Sequence, residues 1–203
     1  MQNIIERQTK MTLDQYVSTQ FYQPMGLNRM TYNPLDHFSK KEIIPTENDT
    51  YFRKQLVHGY VHDQGSAMLG GVGGHAGIFA NSLDLAKLMQ MFLNGGTYGG
   101  VRYLSTSTLR EFTECQYCEE DNRRGVGFDK PQLKGDGPAC TCVSMLSYGH
   151  TGFTGTMAWV DPQSELIYIF LSNRVNPDAQ NTRLIRSNLR TNIQEIIYNS
   201  IEK

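Results

Sequence analysis

No apolar run in this 203-residue chain is long enough to cross a bilayer. Neither sign of charge dominates: Lys+Arg number 19 against 20 for Asp+Glu, a net charge of -1. That balance excludes the electrostatic footprint of a nucleic-acid binder or of a protein held to an anionic membrane. The opening MQNIIERQTK lacks the basic-then-apolar layout of a signal peptide. There is no Gly-x-Ser-x-Gly elbow to expose a serine nucleophile, and His75 in GGHAG stands where that serine would be. A phosphate-cradling Gly-x4-Gly-Lys-Ser/Thr loop and a His-Glu-x2-His zinc helix are also missing. So are internal repeats and low-complexity tracts.

Cysteine is scarce, and its four copies fall in two close pairs, Cys115/Cys118 and Cys140/Cys142. Four thiolates match the ligand count of a structural zinc site, but Cys-x-Cys is an unusual second half for one. Free or oxidised cysteines on loops are the plainer reading. HGYVHD sets His58 and His62 four apart, beside Asp63. They would share a face on a helix or on a strand and could bind a metal. Histidines that satisfy local hydrogen bonds are the commoner case. No cofactor is expected.

Length suits one domain or part of a larger one, with room for a sizeable core. Thr12 followed by Gln15 has the form of a capping box, and Leu13, Tyr16, Val17 and Phe21 follow at helical spacing until Pro24 and Gly26. Residues 28 to 66 read as long loops with short strands or turns. Five glycines between Gly70 and Gly77 demand an irregular backbone. NSLDLAKLMQMFLNGG then opens on an Asn/Ser cap, shows an apolar face (Leu85, Leu88, Met89, Phe92, Leu93) and ends at Asn94-Gly95-Gly96. LSTSTLREF predicts a short helix capped by Ser105, and residues 114 to 146 a polar excursion. TMAWV, DPQS and ELIYIFLSN predict an antiparallel hairpin. Leu184, Ile185, Leu189, Ile193, Ile196 and Ile197 form a closing helical stripe. The order implies α+β architecture, with helices packed on an antiparallel sheet and the C-terminal helix lying on that sheet.

The stretch SYGHTGFTGTMAWVDP concentrates the chemistry. A histidine, a threonine and three glycines precede a strand, so a ligand could approach the backbone closely. His150-Thr151-Gly152 resembles the Lys-Thr-Gly motif of serine β-lactamases and penicillin-binding proteins, with His for Lys. The longer stretches VHDQGSAMLGGVGGHAGIFANSLDLAKLMQMFLNGG and YGHTGFTGTMAWVDPQSELIYIFLSNRV, linked by RRGVGFDKP, resemble the later half of the β-lactamase-related serine hydrolases. These are the class C β-lactamases, D-Ala-D-Ala carboxypeptidases and esterases. The resemblance runs from about Ile4 to Ile201. It extends in particular to the branch found C-terminal to a family 3 glycoside hydrolase module in Bacteroidetes-type surface or periplasmic proteins.

The resemblance implies a partial β-lactamase/transpeptidase-like fold over 1–203 and an acyl-enzyme mechanism on amide or ester bonds. It also implies periplasmic or cell-surface location of the full-length protein, with a small-molecule or peptide substrate. His150 would bind a substrate carboxylate or steer a proton, and Thr151 would hydrogen-bond the same group. Gly152 would leave room for substrate. The N–H of Phe153 would be an oxyanion donor. His75 and Tyr148 are candidate cleft neighbours. Ser-x-x-Lys occurs in the chain only as SIEK, Ser200–Lys203, after His-Thr-Gly and at an end prone to fray. Tyr-x-Asn and Ser-x-Asn are absent. The expectation is therefore an N-terminally truncated domain without its nucleophile, inactive alone and prone to self-association through uncovered surface. The alternative is a catalytically dead binding or scaffold domain for a cell-wall ligand or a partner chain.

Overall fold

The computed structural model describes residues 1–120, 122–132, 135 and 137–201. Glu202 and Lys203 of the SIEK tetrapeptide lie outside the described residues. The chain divides into two compact units, Met1–Asp84 with Asn173–Asn181, and Leu85–Ser172 with Thr182–Lys203.

The first unit opens with α1 (Gln2–Thr9), ended by Lys10 at φ 58°. In α2 (Leu13–Val17), Gln15 Oε1 accepts from the Thr12 amide at 3.4 Å, as the capping pattern requires. The helix does not continue uniformly to Phe21: Ser18–Tyr22 form a π-helical turn. Leu13, Tyr22, Met25, Leu27, Met30 and Tyr32 supply buried apolar side chains. Within the stretch read as loops, β1 (Pro45–Asp49) and β2 (Gln55–His58) form an antiparallel hairpin with Asn48 opposite Leu56. A short α3 (Gln64–Met68) follows, with the Asp63 carboxylate accepting from the Ser66 amide at 2.7 Å. The later segment returns to the hairpin: Asn173 Nδ2 donates to the Pro45 carbonyl at 2.6 Å, and Asn48 N to that of Pro177 at 3.0 Å.

α4 (Ser82–Leu93) has Asn81 as its cap, with Asn81 Oδ1 accepting from Asp84 N at 2.8 Å, and Gly95 and Gly96 follow it at φ 62° and 94°. A small hairpin, β3 (Thr97–Tyr98) and β4 (Val101–Arg102), leads to α5 (Thr106–Thr113), which Ser105 caps through the Thr108 amide. The second unit is organised by a three-stranded antiparallel sheet: β5 (Tyr148–Thr151), β6 (Met157–Asp161) and β7 (Leu166–Phe170) in that order. Side chains alternate across it, which divides the core into two layers. Tyr148 and Val160 pack with Met89, Leu85, Phe92 and Leu93 of α4. Met157, Trp159 and Tyr168 take the other face, with Ala139, Cys140 and Val143 and with Ile193, Ile197 and Tyr198 from the C-terminal helix. The expected hairpin and its covering helix are thus in place.

The closing stripe is not one helix. α6 (Arg183–Arg186) and α7 (Leu189–Ile201) are separated by Asn188 at φ 50°. Ile196 is 67% exposed, because a straight 3.6-residue repeat does not carry it to the sheet. Two polar side chains of α7 are buried instead. Gln194 Oε1 accepts from the Cys140 amide at 2.9 Å, and Tyr198 Oη donates to Asp161 Oδ2 at 2.8 Å.

Candidate active-site strand

β5 pairs with β6 in the register His150 opposite Ala158 and Thr151 opposite Met157. On its other side the main chain of Gly149 exchanges two hydrogen bonds with Asp129, at 2.8 and 3.0 Å. The pleat turns the main-chain groups of Thr151 toward that same outer edge, two residues past the Asp129 bridge. Burial falls along the strand: Tyr148 and Gly149 are buried, Thr151 is half-buried, and His150 is exposed. The next residue but one, Phe153, leaves 64% of its surface exposed. His150, Thr151, Gly152 and Phe153 therefore stand together where the strand leaves the core.

His150 Nδ1 lies 2.7 Å from the Thr151 carbonyl. A carbonyl only accepts, so Nδ1 carries the hydrogen and Nε2 is the nitrogen left to meet a ligand. Two glycines shape this strand. A Cβ at Gly149 would overlap the Ala158 carbonyl oxygen and the Trp159 ring, so the strand can lie close to β6 only without one. A Cβ at Gly152 would overlap Thr156 Oγ1. The space beside Gly152 is taken by its own hairpin, which closes through Gly152 N to Thr156 O at 2.8 Å.

Tyr148, expected beside a cleft, is a core side chain at 3% exposure. Its ring meets Phe128 edge-on at 5.2 Å, and burial pushes its phenol up to about 12. Lys130 escaped the sequence reading. It is buried, its ammonium lies 6.0 Å from the Tyr148 ring and donates to the Leu146 carbonyl at 3.4 Å, and burial lowers its pKa. Its position in RRGVGFDKP carries no periodic signal that would mark a buried lysine. His75 belongs to the first unit, where Nε2 lies 2.8 Å from Asp63 Oδ1. The visible clue was DQGS, an Asp-led helix start, but nothing local links it to GGHAG.

Both metal readings fail. Cys115 bonds Cys118 and Cys140 bonds Cys142, which leaves no thiolate for zinc. His58 Nε2 donates to the Ile43 carbonyl at 2.6 Å while His62 Nδ1 donates to Glu47 Oε1 at 2.7 Å, so the two rings serve separate local bonds. Among the described residues no group of three or more His, Cys, Asp or Glu could hold a metal ion. Nor, among them, is any helix long and apolar enough to cross a membrane.

The β-lactamase family model matches residues 1–191. The chain belongs to the β-lactamase family. A Salmonella enteritidis PT4 protein provisionally named a D-alanyl-D-alanine carboxypeptidase is 35% identical over 197 residues, which cover 89% of this chain and 44% of that protein. The chain thus spans less than half the length of the curated relatives it matches. Two solved structures share the fold. A β-lactamase from Mycobacterium bovis superposes with a TM-score of 0.62 at 15% identity, covering 97% of this chain and 60% of that one. The unliganded simvastatin synthase of Aspergillus terreus gives 0.65 at 17% identity, covering 98% and 53%. The mixed helical and antiparallel architecture is accordingly a partial β-lactamase-like α+β fold.

Proposed function

We propose that this chain is the C-terminal portion of a cell-envelope serine hydrolase that cleaves amide or ester bonds through an acyl-enzyme. His150, Thr151, Gly152 and the main-chain N–H of Phe153 form one wall of its substrate cleft. The observation that carries this reading is the emergence of β5 from the core at His-Thr-Gly, with His150 exposed and its Nδ1 held by the Thr151 carbonyl. Family membership and the carboxypeptidase name of the Salmonella relative support the reaction class. The serine that attacks the carbonyl belongs to a Ser-x-x-Lys helix not contained in these residues. The acyl group passes to it from the leaving amine or alcohol, and water then releases the acid. His150 meets the substrate through Nε2, and the Phe153 amide stabilises the charge that develops on the carbonyl oxygen. The resemblance to modules carried behind a family 3 glycoside hydrolase belongs to the same proposal, as does a periplasmic or surface location.

The test compares two samples in nitrocefin and p-nitrophenyl ester assays. The full-length gene product is expected to turn over an ester or amide and to be blocked by a fluorophosphonate. The 203-residue chain is expected to show no such turnover. In the full-length protein His150→Ala is expected to lower kcat/KM about a hundredfold. Serine-dependent turnover by the 203-residue chain would refute the assignment of the nucleophile elsewhere. A full-length protein that binds cell-wall peptides without turnover would establish the scaffold reading instead.

A further inference from the structure

The two disulfides have different surroundings. Cys140 is buried and Cys142 half-buried, both packed in the core layer with Met157, Trp159 and Tyr168, and the Cys140 amide is held by Gln194 Oε1 at 2.9 Å. Cys115 is half-buried and Cys118 exposed, just past α5, where Cys118 opens a 3-10 turn (Cys118–Glu120) whose three residues are all exposed. A bond between cysteines two or three positions apart closes a very small loop and removes little chain entropy, so the unit does not depend on either bond to fold. Exchange requires a sulfur that an attacking thiolate can reach, and Cys118 offers the most open one.

The exposed disulfide is also tied to β5. The two residues inside its ring, Gln116 and Tyr117, carry main-chain bonds to the returning chain: Gln116 N donates to Arg124 O at 3.1 Å, and Asn122 N to Tyr117 O at 3.2 Å. Arg123, between these two anchors, reaches Asp129. Its Nη2 lies 2.9 Å from Asp129 Oδ1, and its Nε donates to the Lys130 carbonyl at 3.0 Å. Arg124 Nε, 3.8 Å from the same Asp129 oxygen, is a weaker partner. Asp129 is buried, and its main chain holds Gly149 of β5, next to His150. A buried carboxylate keeps its place only with its counter-charge aligned, so the position of Arg123 bears on that bridge. Opening the ring gives Gln116 and Tyr117 backbone freedom and loosens the alignment of Arg123 with them. An acceptor for the reduced state is already in place. Cys115 Sγ lies 3.3 Å from the Asn122 carbonyl, within reach of a thiol hydrogen.

We propose that Cys115–Cys118 is a thiol–disulfide exchange site that accepts two electrons from a dithiol and, once reduced, weakens the hold of Asp129 on β5. The first thiolate of the dithiol attacks Cys118 Sγ, forms a mixed disulfide and expels the Cys115 thiolate. The second thiolate of the dithiol then attacks its own sulfur in the mixed disulfide and releases the Cys118 thiolate. The two protons that the dithiol loses are the two that Cys115 and Cys118 gain, by way of water. The cysteines end as thiols and the dithiol as a cyclic disulfide, and an incoming disulfide reverses each step. A bearing on catalysis rests on the hydrolase reading above; the exchange and its effect on β5 do not.

Graded dithiothreitol, then iodoacetamide and peptide mass spectrometry, tests the site in the 203-residue chain. Cys115 and Cys118 are expected to be labelled at about tenfold lower reductant than Cys140 and Cys142. Labelling of all four together, or of the core pair first, would overturn the proposal. At the lower reductant, the amides of Gly149 and Asp129 are expected to exchange hydrogen about threefold faster while those of β7 keep their rates. Unchanged exchange at Gly149, or a loss of protection throughout the unit, would overturn it as well. Arg123→Gln is expected to give the faster Gly149 exchange with the disulfide intact, and an unaltered rate in that variant would break the link to β5. In the full-length gene product the same reduction is expected to lower kcat/KM about threefold, with recovery on reoxidation by the cyclic disulfide of dithiothreitol. An unchanged kcat/KM would overturn the bearing on catalysis. Absence of turnover by the untreated protein would sink the hydrolase reading alone, since labelling and hydrogen exchange judge the site without an assay.

Discussion

The β1–β2 hairpin and the β5–β6–β7 sheet solve the same problem with opposite chemistry. The sheet buries Trp159, Val160, Met157 and Tyr148 on its two faces and follows the apolar alternation expected of strands. The hairpin turns its charges inward. Glu47 and Asp49 are both 5% exposed, whereas Leu56 on the facing strand is 58% exposed and Tyr51 at the turn 81%. Arg53 makes the inversion tolerable. Its guanidinium reaches Asp49 and Glu47, each at 3.1 Å, and donates to the carbonyls of Val61 and His62. The Asp49 carboxylate also accepts from the amides of Tyr51, Phe52 and Arg53. Burial alone would raise the Asp49 pKa, but the amides and the guanidinium outweigh it and hold it well below the usual range. A strand can therefore be specified by a saturated polar network as well as by an apolar stripe. A hydrophobic pattern finds only the second kind.

The largest expected effect tests the apolar side. Trp159→Ala removes the bulkiest fully buried side chain and leaves Ser147 Oγ without its indole donor. Chemical denaturation is expected to show a loss of about 4 kcal/mol. Arg53→Ala tests the polar side. It takes the guanidinium away from two buried carboxylates, leaving Asp49 only its amide donors and Glu47 only His62, and is expected to cost about 3 kcal/mol. Hydrogen exchange should localise that loss to the hairpin amides. An effect below about 1 kcal/mol would mean that the network behaves like a surface ion pair, and the contrast drawn above would fail.

Acid is a subtler probe because both regions hold a depressed carboxyl. Asp161 is fully buried. Burial alone would raise its pKa, but the hydrogen bonds from Ser144, Tyr198 and Gln163 outweigh it and lower it. A folded pKa below the unfolded value means that this stabilisation is complete above about pH 4 and is lost as pH falls through the folded value. Unfolding midpoints should therefore decline below about pH 4. Asp161→Asn should have a lower midpoint at neutral pH and a shallower decline. The smallest effect is expected at the end of β5. His150→Ala should change stability by less than about 0.5 kcal/mol, since the side chain is exposed. A larger loss would make His150 part of the scaffold rather than a residue presented to a ligand.

Legibility followed the same division. Helix α4, the Ser105 cap and the β6–β7 hairpin rest on local periodicity and capping, and the structure has all three. The β1–β2 hairpin could not be picked out among the loops and short strands expected over residues 28 to 66, since PTEND and QLVH have no apolar alternation, and the buried charges of β1 are satisfied by Arg53, a residue outside both strands. The single closing helix failed because apolar spacing can continue across a break that Asn188 makes with a positive φ. At the site, His-Thr-Gly could be found as a motif. That Tyr148 turns into the core depended on the pleat of β5 against α4. The pairing of Asp63 with His75 depended on a loop closed by Gln2, Tyr32 and Ser66.

By itself the sequence determined the antiparallel hairpin and its covering helices, because each is written in contiguous residues with a fixed period, and the family, through the resemblance of its two long motifs, which the family model bears out. The tertiary structure alone decided which cysteines pair, which charges lie inside, and which histidine meets which carboxylate. Those outcomes depend on contacts between distant residues, where burial makes an unpaired polar group too costly to leave and so selects its partner.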